Sequence, residues 1–500
     1  ENKLISLGID SGAPDGKVLT TNIASIANLD LTDSSIKDLT GIEDFRELTG
    51  LYANKNQITT LDLSSNPKLT SLLVRENKLE NVNVRENAEL TNLSIGKNKL
   101  TTLDLTQNTK LTSLNAEYNN LTTLDLSNNK LLYVTNLTYN QLTTLDLSKN
   151  TILEYLQCSN NKLTSLNIKN ASILSMLECQ QNLLTSLDLS DNIALRNLIC
   201  SKNALTSLNT ANNIQLNSID CSENNLTSLD LLKNINLYSL YCDVNQLTAL
   251  NVSKNILLVS LSVYGNSLTT LDVSKNTELN TFYCYSNLLT SVDISSNTKI
   301  TRLQVDLNKL TSLNLKNGNN TILDRKYTNF NNNPDLTCIL VDDVTYSNAN
   351  WAHLKDATAK YSLDCSIEFV QISDSNFEQK LIDLGIDTDG LNGKITIADA
   401  TAVTTLDLSN SSIKDLTGIE YFTSLSYLDV SSNQLTALNV SKNIKLETLN
   451  ASSNQLTTID LSNNNKLRIV YVVNNPLVSL NLRNGNNANF ILPSNTAKSA

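Results

Sequence analysis

The sequence predicts a repeat solenoid, in which similar coils stack and short parallel β-strands dominate, with little helix apart from the caps. The first observation is a strict period of 21 residues between five cysteines: Cys158, Cys179, Cys200, Cys221 and Cys242. The second is an asparagine three positions after each cysteine: Asn161, Asn182, Asn203, Asn224 and Asn245. The third is the pattern LxxLxLxxN, which occurs twice in each period. Residues one period apart are therefore expected to lie directly above one another.

Each copy of LxxLxLxxN predicts one short strand followed by a turn, and so two strands in every coil. The alternating leucines are expected to face a narrow core. An asparagine side chain has two N–H donors and one acceptor, so it can satisfy backbone groups that face the inside of a coil. We therefore expect the asparagine column to form a hydrogen-bonded ladder.

The cysteine column continues in other coils with small or apolar residues, such as Ala53, Ile95 and Val263. Parallel strands lie about 4.8 Å apart and point their side chains the same way, so a straight column cannot converge on a zinc ion. A disulfide between neighbours is disfavoured because their Cβ atoms would have to approach to about 3.8 Å. The column is expected to hold buried, unreactive thiols.

The pattern LxxLxLxxN at this spacing resembles the leucine-rich repeat family in its nested short form, over roughly four fifths of the chain. With the segments IKDLTGIE and LTCILVDD, the repeats resemble surface or secreted leucine-rich repeat proteins of type 9-secreting bacteria, and they are internalin-like at the fold level. The resemblance implies inward leucines, asparagines bonded to backbone groups at the turns, and recognition of an extracellular protein or glycan.

A second repetition predicts two arrays, because residues 1–57 match residues 378–434 at a constant offset. In the second copy, KLIDLGI after Phe377 predicts an amphipathic cap helix. The predicted division is 1–47, an N-terminal cap and first coil; 48–318, a long array; 319–372, a C-terminal cap and linker; 373–424, a second N-terminal cap; 425–487, a second short array; and 488–500, a truncated tail.

Cys338 and Cys365 lie outside the cysteine column and flank a segment that breaks the period. From Ser347 this segment predicts a short helix with a Ser or Asn cap. The last coil of an array exposes its core, so an apolar cap is needed there. We predict a disulfide between the two cysteines, which implies an oxidising setting outside the cytoplasm.

Composition and charge exclude some function classes. The 500 residues include 38 Lys and Arg against 49 Asp and Glu, for a net charge of -11, which argues against nucleic acid or an anionic membrane as a partner. With one His and no phosphate-binding or dinucleotide fingerprint, the chain is not expected to be an enzyme. Without an initial Met, signal peptide or membrane span, we expect a fragment of a larger secreted or bacterial cell-surface protein.

The outward positions of the two predicted strands differ. The LDLS strand is monotonous, with a Thr column and an Asp or Asn column, whereas the other strand varies from coil to coil. Variation on a constant scaffold suits recognition, and tyrosine offers large contact area at low entropic cost. The predicted binding face comprises Tyr155, Met176, Ile199, Tyr241, Tyr264, Tyr283, Tyr285 and Arg302.

Three alternatives to a binding or adhesion module remain at this stage. The varied positions are simply unconstrained, or the chain is a passive spacer or stalk of a larger cell-surface protein. A remote third is an ice-binding solenoid that uses the stacked Thr column, although the neighbouring Asp column is charged and hydrated.

The segment DTDGLNGKITIAD after the second cap helix resembles an EF-hand or dockerin-type calcium loop. Its candidate ligands are Asp387, Asp389, Asn392 and Asp399. The spacing carries one extra residue, and the first copy of the loop has Gly12 in place of Asp389. A plain Gly/Asp turn is the alternative. Calcium is the one possible cofactor.

Overall fold

The computed structural model of the protein describes residues 1–365, 369–489 and 491. Most of the tail predicted for 488–500 therefore lies outside the described residues. None of the helices in the described part has the length and apolar character needed to cross a lipid bilayer.

The chain divides into two compact units, Glu1–Cys365 and Ser366–Ala500. Each unit is a solenoid of short parallel strands with few helices, which confirms the predicted fold class. Each has its own continuous core, made largely of inward leucines that are inaccessible to solvent. Burial of these leucine columns provides the main driving force for coiling.

The main sheet of the first unit has 15 parallel strands in chain order. They are Asn28–Asp30, Gly50–Tyr52, Ser71–Leu73, Asn92–Ser94, Ser113–Asn115, Val134–Asn136, Tyr155–Gln157, Met176–Glu178, Asn197–Ile199, Ser218–Asp220, Ser239–Tyr241, Ser260–Ser262, Thr281–Tyr283, Arg302–Gln304 and Thr328–Asn329. Over most of the array, residues one period apart pair directly, as Met176 does with Asn197. We call this sheet and its outward side chains the variable side.

The LDLS half of each coil, which we call the monotonous side, forms strands only in places. In the first unit these are Thr144–Asp146, Ser165–Asn167, Ser291–Asp293 and Ser312–Asn314, followed by Cys338–Leu340 and Lys360–Ser362 in the C-terminal cap. The prediction of two strands in every coil is therefore wrong for most coils. The pattern indicates which residues face inward, but not whether successive coils approach closely enough to hydrogen-bond on both sides.

Helices of the first unit lie at its ends. They are the α-helices Asn2–Ser6, Thr20–Ile23 and Val344–Trp351, and the 3-10 turns Ile42–Asp44, Asn320–Ile322 and Arg325–Tyr327. The prediction that the cap helix begins at Ser347 with a Ser or Asn cap is wrong. The helix begins at Val344, because Asp343 is the N-cap and accepts a hydrogen bond from Tyr346 N (2.9 Å). Trp351 is fully buried against the last coils, and the predicted Cys338–Cys365 disulfide is confirmed.

The second unit begins with an antiparallel pair and continues as a shorter solenoid. Its strands are Phe369–Gln371, Lys394–Thr396, Thr405–Asp407, Tyr427–Asp429, Thr448–Asn450, Thr458–Asp460, Ile469–Tyr471 and Ser479–Asn481. Its helices are Ser375–Asp383 and Ile397–Ala402, with 3-10 turns Ile419–Tyr421 and Asn487–Asn489. The strand Phe369–Gln371, which we assigned to the linker, belongs to this cap because it pairs with Lys394–Thr396 and buries Val370.

Candidate functional site

Four of the predicted face residues form one cluster on the variable side, which we call the tyrosine patch: Tyr241, Tyr264, Tyr283 and Tyr285. Tyr241 and Tyr283 lie in one outward column, separated by Ser262. Tyr264 and Tyr285 lie two positions further along their coils, and their rings stack with centroids 4.4 Å apart and planes 5° from parallel. The variable strands and the positions just after them therefore present a group of four tyrosines, two of which are stacked.

Arg302 lies at the edge of the tyrosine patch. Its guanidinium sits over the Tyr327 ring, 4.6 Å from the centroid. Burial raises the pKa of Tyr283, and the positive charge of Arg302 opposes that shift. The repeat pattern does not predict Tyr327 as a site residue, because Tyr327 lies in a 3-10 turn where the period breaks.

A buried carboxyl group adjoins the patch, because Asp243 lies one period before Tyr264 in the same column. Asp243 is 6% exposed and accepts hydrogen bonds from Ser262 Oγ (2.5 Å) and Tyr264 N (3.0 Å). Burial raises the pKa of Asp243 to about 7, and the nearby charge of Asp220 adds to the shift. The column of Asp243 also contains Glu117 and Asp306, so the repeat pattern alone does not single out Asp243 as a site residue.

The other predicted face residues lie apart from the patch, in earlier coils. Tyr155 is 37% exposed and packs edge-to-face with Tyr133 at 5.9 Å between ring centroids. Met176 and Ile199 are half-buried in the two coils that follow. The structure therefore divides the predicted face into two groups of residues.

A second stacked pair was missed by the sequence analysis. The rings of Tyr118 and Tyr139 lie 4.2 Å apart, on the turn that follows the variable strand. Both residues have left-handed backbone (φ 50° and 56°), which carries their side chains beside the strand face. Their separation of one period was the available signal.

The ladder residues line the inside of the coils. The thiols of Cys158, Cys179, Cys200, Cys221, Cys242 and Cys284 are free and fully buried. Burial raises the pKa of Cys158 to about 12 and the pKa values of the others well above the ordinary range, so the thiolate form is suppressed. The side-chain amides of five ladder residues bridge neighbouring coils: Asn161, Asn182, Asn203, Asn224 and Asn245.

The Asp column of the monotonous side has a structural role. Asp125 Oδ1 accepts a hydrogen bond from the N–H of Ser127 (2.9 Å), and Asp62, Asp146 and Asp188 make the same turn. These backbone bonds lower the pKa of Asp125 despite the acids in neighbouring coils. The repetition of Asp is therefore explained by turn formation.

Another surface feature lies on neither strand. A stripe of four isoleucines follows the buried asparagines of the monotonous side, and each is 53% or 54% exposed: Ile193, Ile214, Ile235 and Ile256. The stripe lies outside the predicted binding face, which is drawn mainly from strand positions. The four side chains of the stripe are all aliphatic, so they offer apolar contact area but no ring and no charge.

The predicted calcium loop is only partly assembled. Asp389 N donates to Asp387 Oδ1 (3.2 Å), whereas the Asn392 side chain accepts from Lys394 N (3.1 Å). The Asp399 carboxylate instead accepts a hydrogen bond from Thr396 Oγ1 (2.7 Å), and Thr396 is the N-cap of the helix Ile397–Ala402. The described part of the chain contains no group of three or more His, Cys, Asp or Glu side chains arranged to hold a metal.

Comparisons with known proteins return the same architecture. No protein-family model matches the chain, and no curated protein matches it in sequence. It is similar to the functional domain of InlJ from Listeria monocytogenes, which includes a cysteine ladder, at 33% identity over 71% of this chain and 79% of that one, with a TM-score of 0.59. It is also similar to the leucine-rich repeat ectodomain of the receptor kinase GASSHO1/SCHENGEN3 from Arabidopsis thaliana, at 18% identity over 91% of this chain and 57% of that one, with a TM-score of 0.54.

Proposed function

Because this chain belongs to the internalin-like leucine-rich repeat proteins, we propose that it is a non-catalytic extracellular binding or adhesion module. Its partner in this proposal is a protein or glycan, and the variable side is the recognition surface. The disulfide at the C-terminal cap supports an oxidising location outside the cell or on a bacterial surface.

The observation that carries the proposal is the stacked pair Tyr264 and Tyr285 within the tyrosine patch. Aromatic side chains that already stack on one another lose little entropy on binding, because their positions are fixed beforehand. The exposed surface of a stacked pair of rings suits the apolar face of a sugar or an aliphatic or cationic side chain of a protein. Residues of this type dominate binding energy in protein interfaces.

The surrounding acids define the chemistry of the partner. Asp243 and Asp306 flank Tyr264 and Tyr285 in one column, and burial raises the pKa of both carboxyl groups. Partly desolvated carboxyl groups favour a partner that brings hydrogen-bond donors, such as sugar hydroxyls or a basic side chain. The edge of the patch also offers the Arg302 guanidinium for an acidic or carbonyl group.

The contrast between the two sides also supports recognition by the variable side. On the monotonous side the outward Asp residues are used by their own turns, as shown by Asp125. The tyrosines of the patch have no comparable role in building a turn. Their contribution to the free energy of folding is therefore expected to be small, while their contribution to binding is large.

The test compares two double variants of the full chain. One is Tyr264→Ser with Tyr285→Ser, and the matched control is Ile214→Ser with Ile235→Ser, which removes exposed apolar surface elsewhere in the same array. Binding to a panel of purified extracellular-matrix glycoproteins and their released glycans is measured by surface plasmon resonance. We expect the tyrosine variant to weaken binding about tenfold or more and the isoleucine variant to bind normally.

Other outcomes assign the function differently. Loss of binding in the isoleucine variant alone places recognition on the isoleucine stripe and contradicts the role of the tyrosine patch. If the unmodified chain binds no member of the panel, a passive spacer is favoured.

A further inference from the structure

The two N-terminal caps carry the same loop, and the two loops are anchored in the same way. In the first cap, the Glu1 carboxylate accepts a hydrogen bond from Asp15 N (2.5 Å). In the second, the equivalent Glu378 accepts one from Asn392 N (2.7 Å). The two cap loops can therefore be compared position by position, and a difference in sequence between them indicates a difference in what each loop can bind.

One such difference is a pair of carboxylates. The second loop has Asp389 where the first has Gly12. Asp387 is 3% exposed, and its Oδ2 is buried with no hydrogen-bond donor in the described structure. A buried carboxylate oxygen without a donor is costly, and here its neighbour is another acid. A bound cation would satisfy both groups.

A second difference lies at the end of the loop. In the first cap, the Asn22 amide donates to Ile9 O (3.1 Å), which brings this position next to Asp10. The second cap has Asp399 at the equivalent position, and a carboxylate cannot make that donation. The second cap has thus exchanged a side-chain donor for an anionic acceptor at this position of the loop.

We propose that the second cap loop binds one calcium ion through Asp387 and Asp389, and that the first cap loop does not. Calcium takes six to eight oxygen ligands, including backbone carbonyls and water, so about two or three carboxylates suffice. Asp399, whose carboxylate accepts a hydrogen bond from Thr396 Oγ1, is the third acid of the loop. The site is independent of the recognition surface proposed above.

The experiment uses the full chain after removal of divalent ions with a chelator. Calcium binding is measured by calorimetry and located by deuterium exchange of peptides spanning residues 384–400 and 7–23. We expect one ion per chain and slower exchange in the second-cap peptide only. Asp389→Gly, which copies the first cap at an exposed position, should weaken binding about tenfold or more. The control Asp10→Asn should bind calcium as the unmodified chain does.

Several results overturn the proposal. These are no heat and no change in exchange at about 5 mM calcium chloride, unchanged affinity in Asp389→Gly, or protection confined to the first cap. Equal affinity for magnesium contradicts the assignment to calcium. Asp387→Asn is a second variant that should also weaken calcium binding. Deuterium exchange in the rest of its chain shows whether this variant has folded.

Discussion

The variable and monotonous sides of the first unit arise from the same LxxLxLxxN pattern, yet they use its asparagine differently. On the variable side, Asn224 Oδ1 accepts a hydrogen bond from Leu205 N (3.0 Å), and its amide donates to Cys200 O and Cys221 O (3.1 Å each). Leu205 N and both carbonyls rely on this ladder. The side chain of this asparagine therefore supplies the hydrogen bonds that join neighbouring coils at this turn.

On the monotonous side, the fully buried Asn213 uses only its amide N–H groups, which donate to Leu189 O (3.0 Å) and Asn192 O (2.8 Å). Its Oδ1 has no partner among the described residues. Leu189 O also accepts a backbone bond from Asn192 N (3.1 Å). The same residue type therefore replaces missing backbone bonds on one side and supplements existing ones on the other.

The pKa values of acidic residues are also shifted in opposite directions on the two sides, upward for Asp243 and downward for Asp125. This contrast predicts the largest effect, a dependence of stability on pH. Burial raises the pKa of Asp243 to about 7, with Asp220, Tyr264 and Tyr285 as its titratable neighbours. Because the folded-state pKa exceeds the unfolded value, the stabilising contribution is complete below about pH 4 and is lost as pH rises through about 7.

We therefore expect the urea midpoint, followed by Trp351 fluorescence, to fall between about pH 5 and pH 8, by an amount equivalent to roughly 2–4 kcal/mol. Asp243→Asn should abolish most of this dependence. Asp125→Asn is the control, because backbone bonds lower the pKa of Asp125 and its contribution is lost only as pH falls below its ordinary pKa. An identical pH profile in Asp243→Asn and the unmodified chain would contradict this account.

The two asparagine ladders predict the next largest effect. Asn224→Ala leaves Leu205 N without its acceptor, so we expect a loss of about 1–3 kcal/mol in the free energy of unfolding. Asn213→Ala should cost less, because the carbonyls it contacts retain backbone donors and the unsatisfied Oδ1 is removed. Chemical denaturation of the two variants measures the difference. Equal losses would mean that the ladders are equivalent.

The smallest predicted effect concerns the turn after the variable strand, where one residue in each coil of the long array has left-handed backbone. Val244 is in this column with φ 50°, and the next coil has Gly265 with φ 66°. A β-branched residue is strained in this conformation, and Val244 is 43% exposed, so Val244→Gly should stabilise the chain by about 1 kcal/mol. Thermal unfolding tests this, with Lys202→Gly (φ 55°) expected to gain less. A lower melting temperature for Val244→Gly would show that the strain is absent.

Much of the fold could be predicted because each coil repeats one local solution. A leucine or cysteine in a fixed register must face the core, and this holds for Cys200 and Leu198 without knowledge of the rest of the chain. The Cys338–Cys365 disulfide was also predictable, since both residues lie outside the column at the point where a cap is needed.

Other features depended on distances between coils. The sequence placed Asp243, Tyr264 and Tyr285 one period apart, but only the structure showed that the two rings stack and that Asp243 is buried. It also showed that Asp387 is buried while its counterpart Asp10 is partly exposed. The sequence by itself determined periodicity, core and caps, because these follow from the inward or outward direction of each side chain. Tertiary structure decided which outward residues form a site, because contact and desolvation depend on the spacing and curvature of the coils.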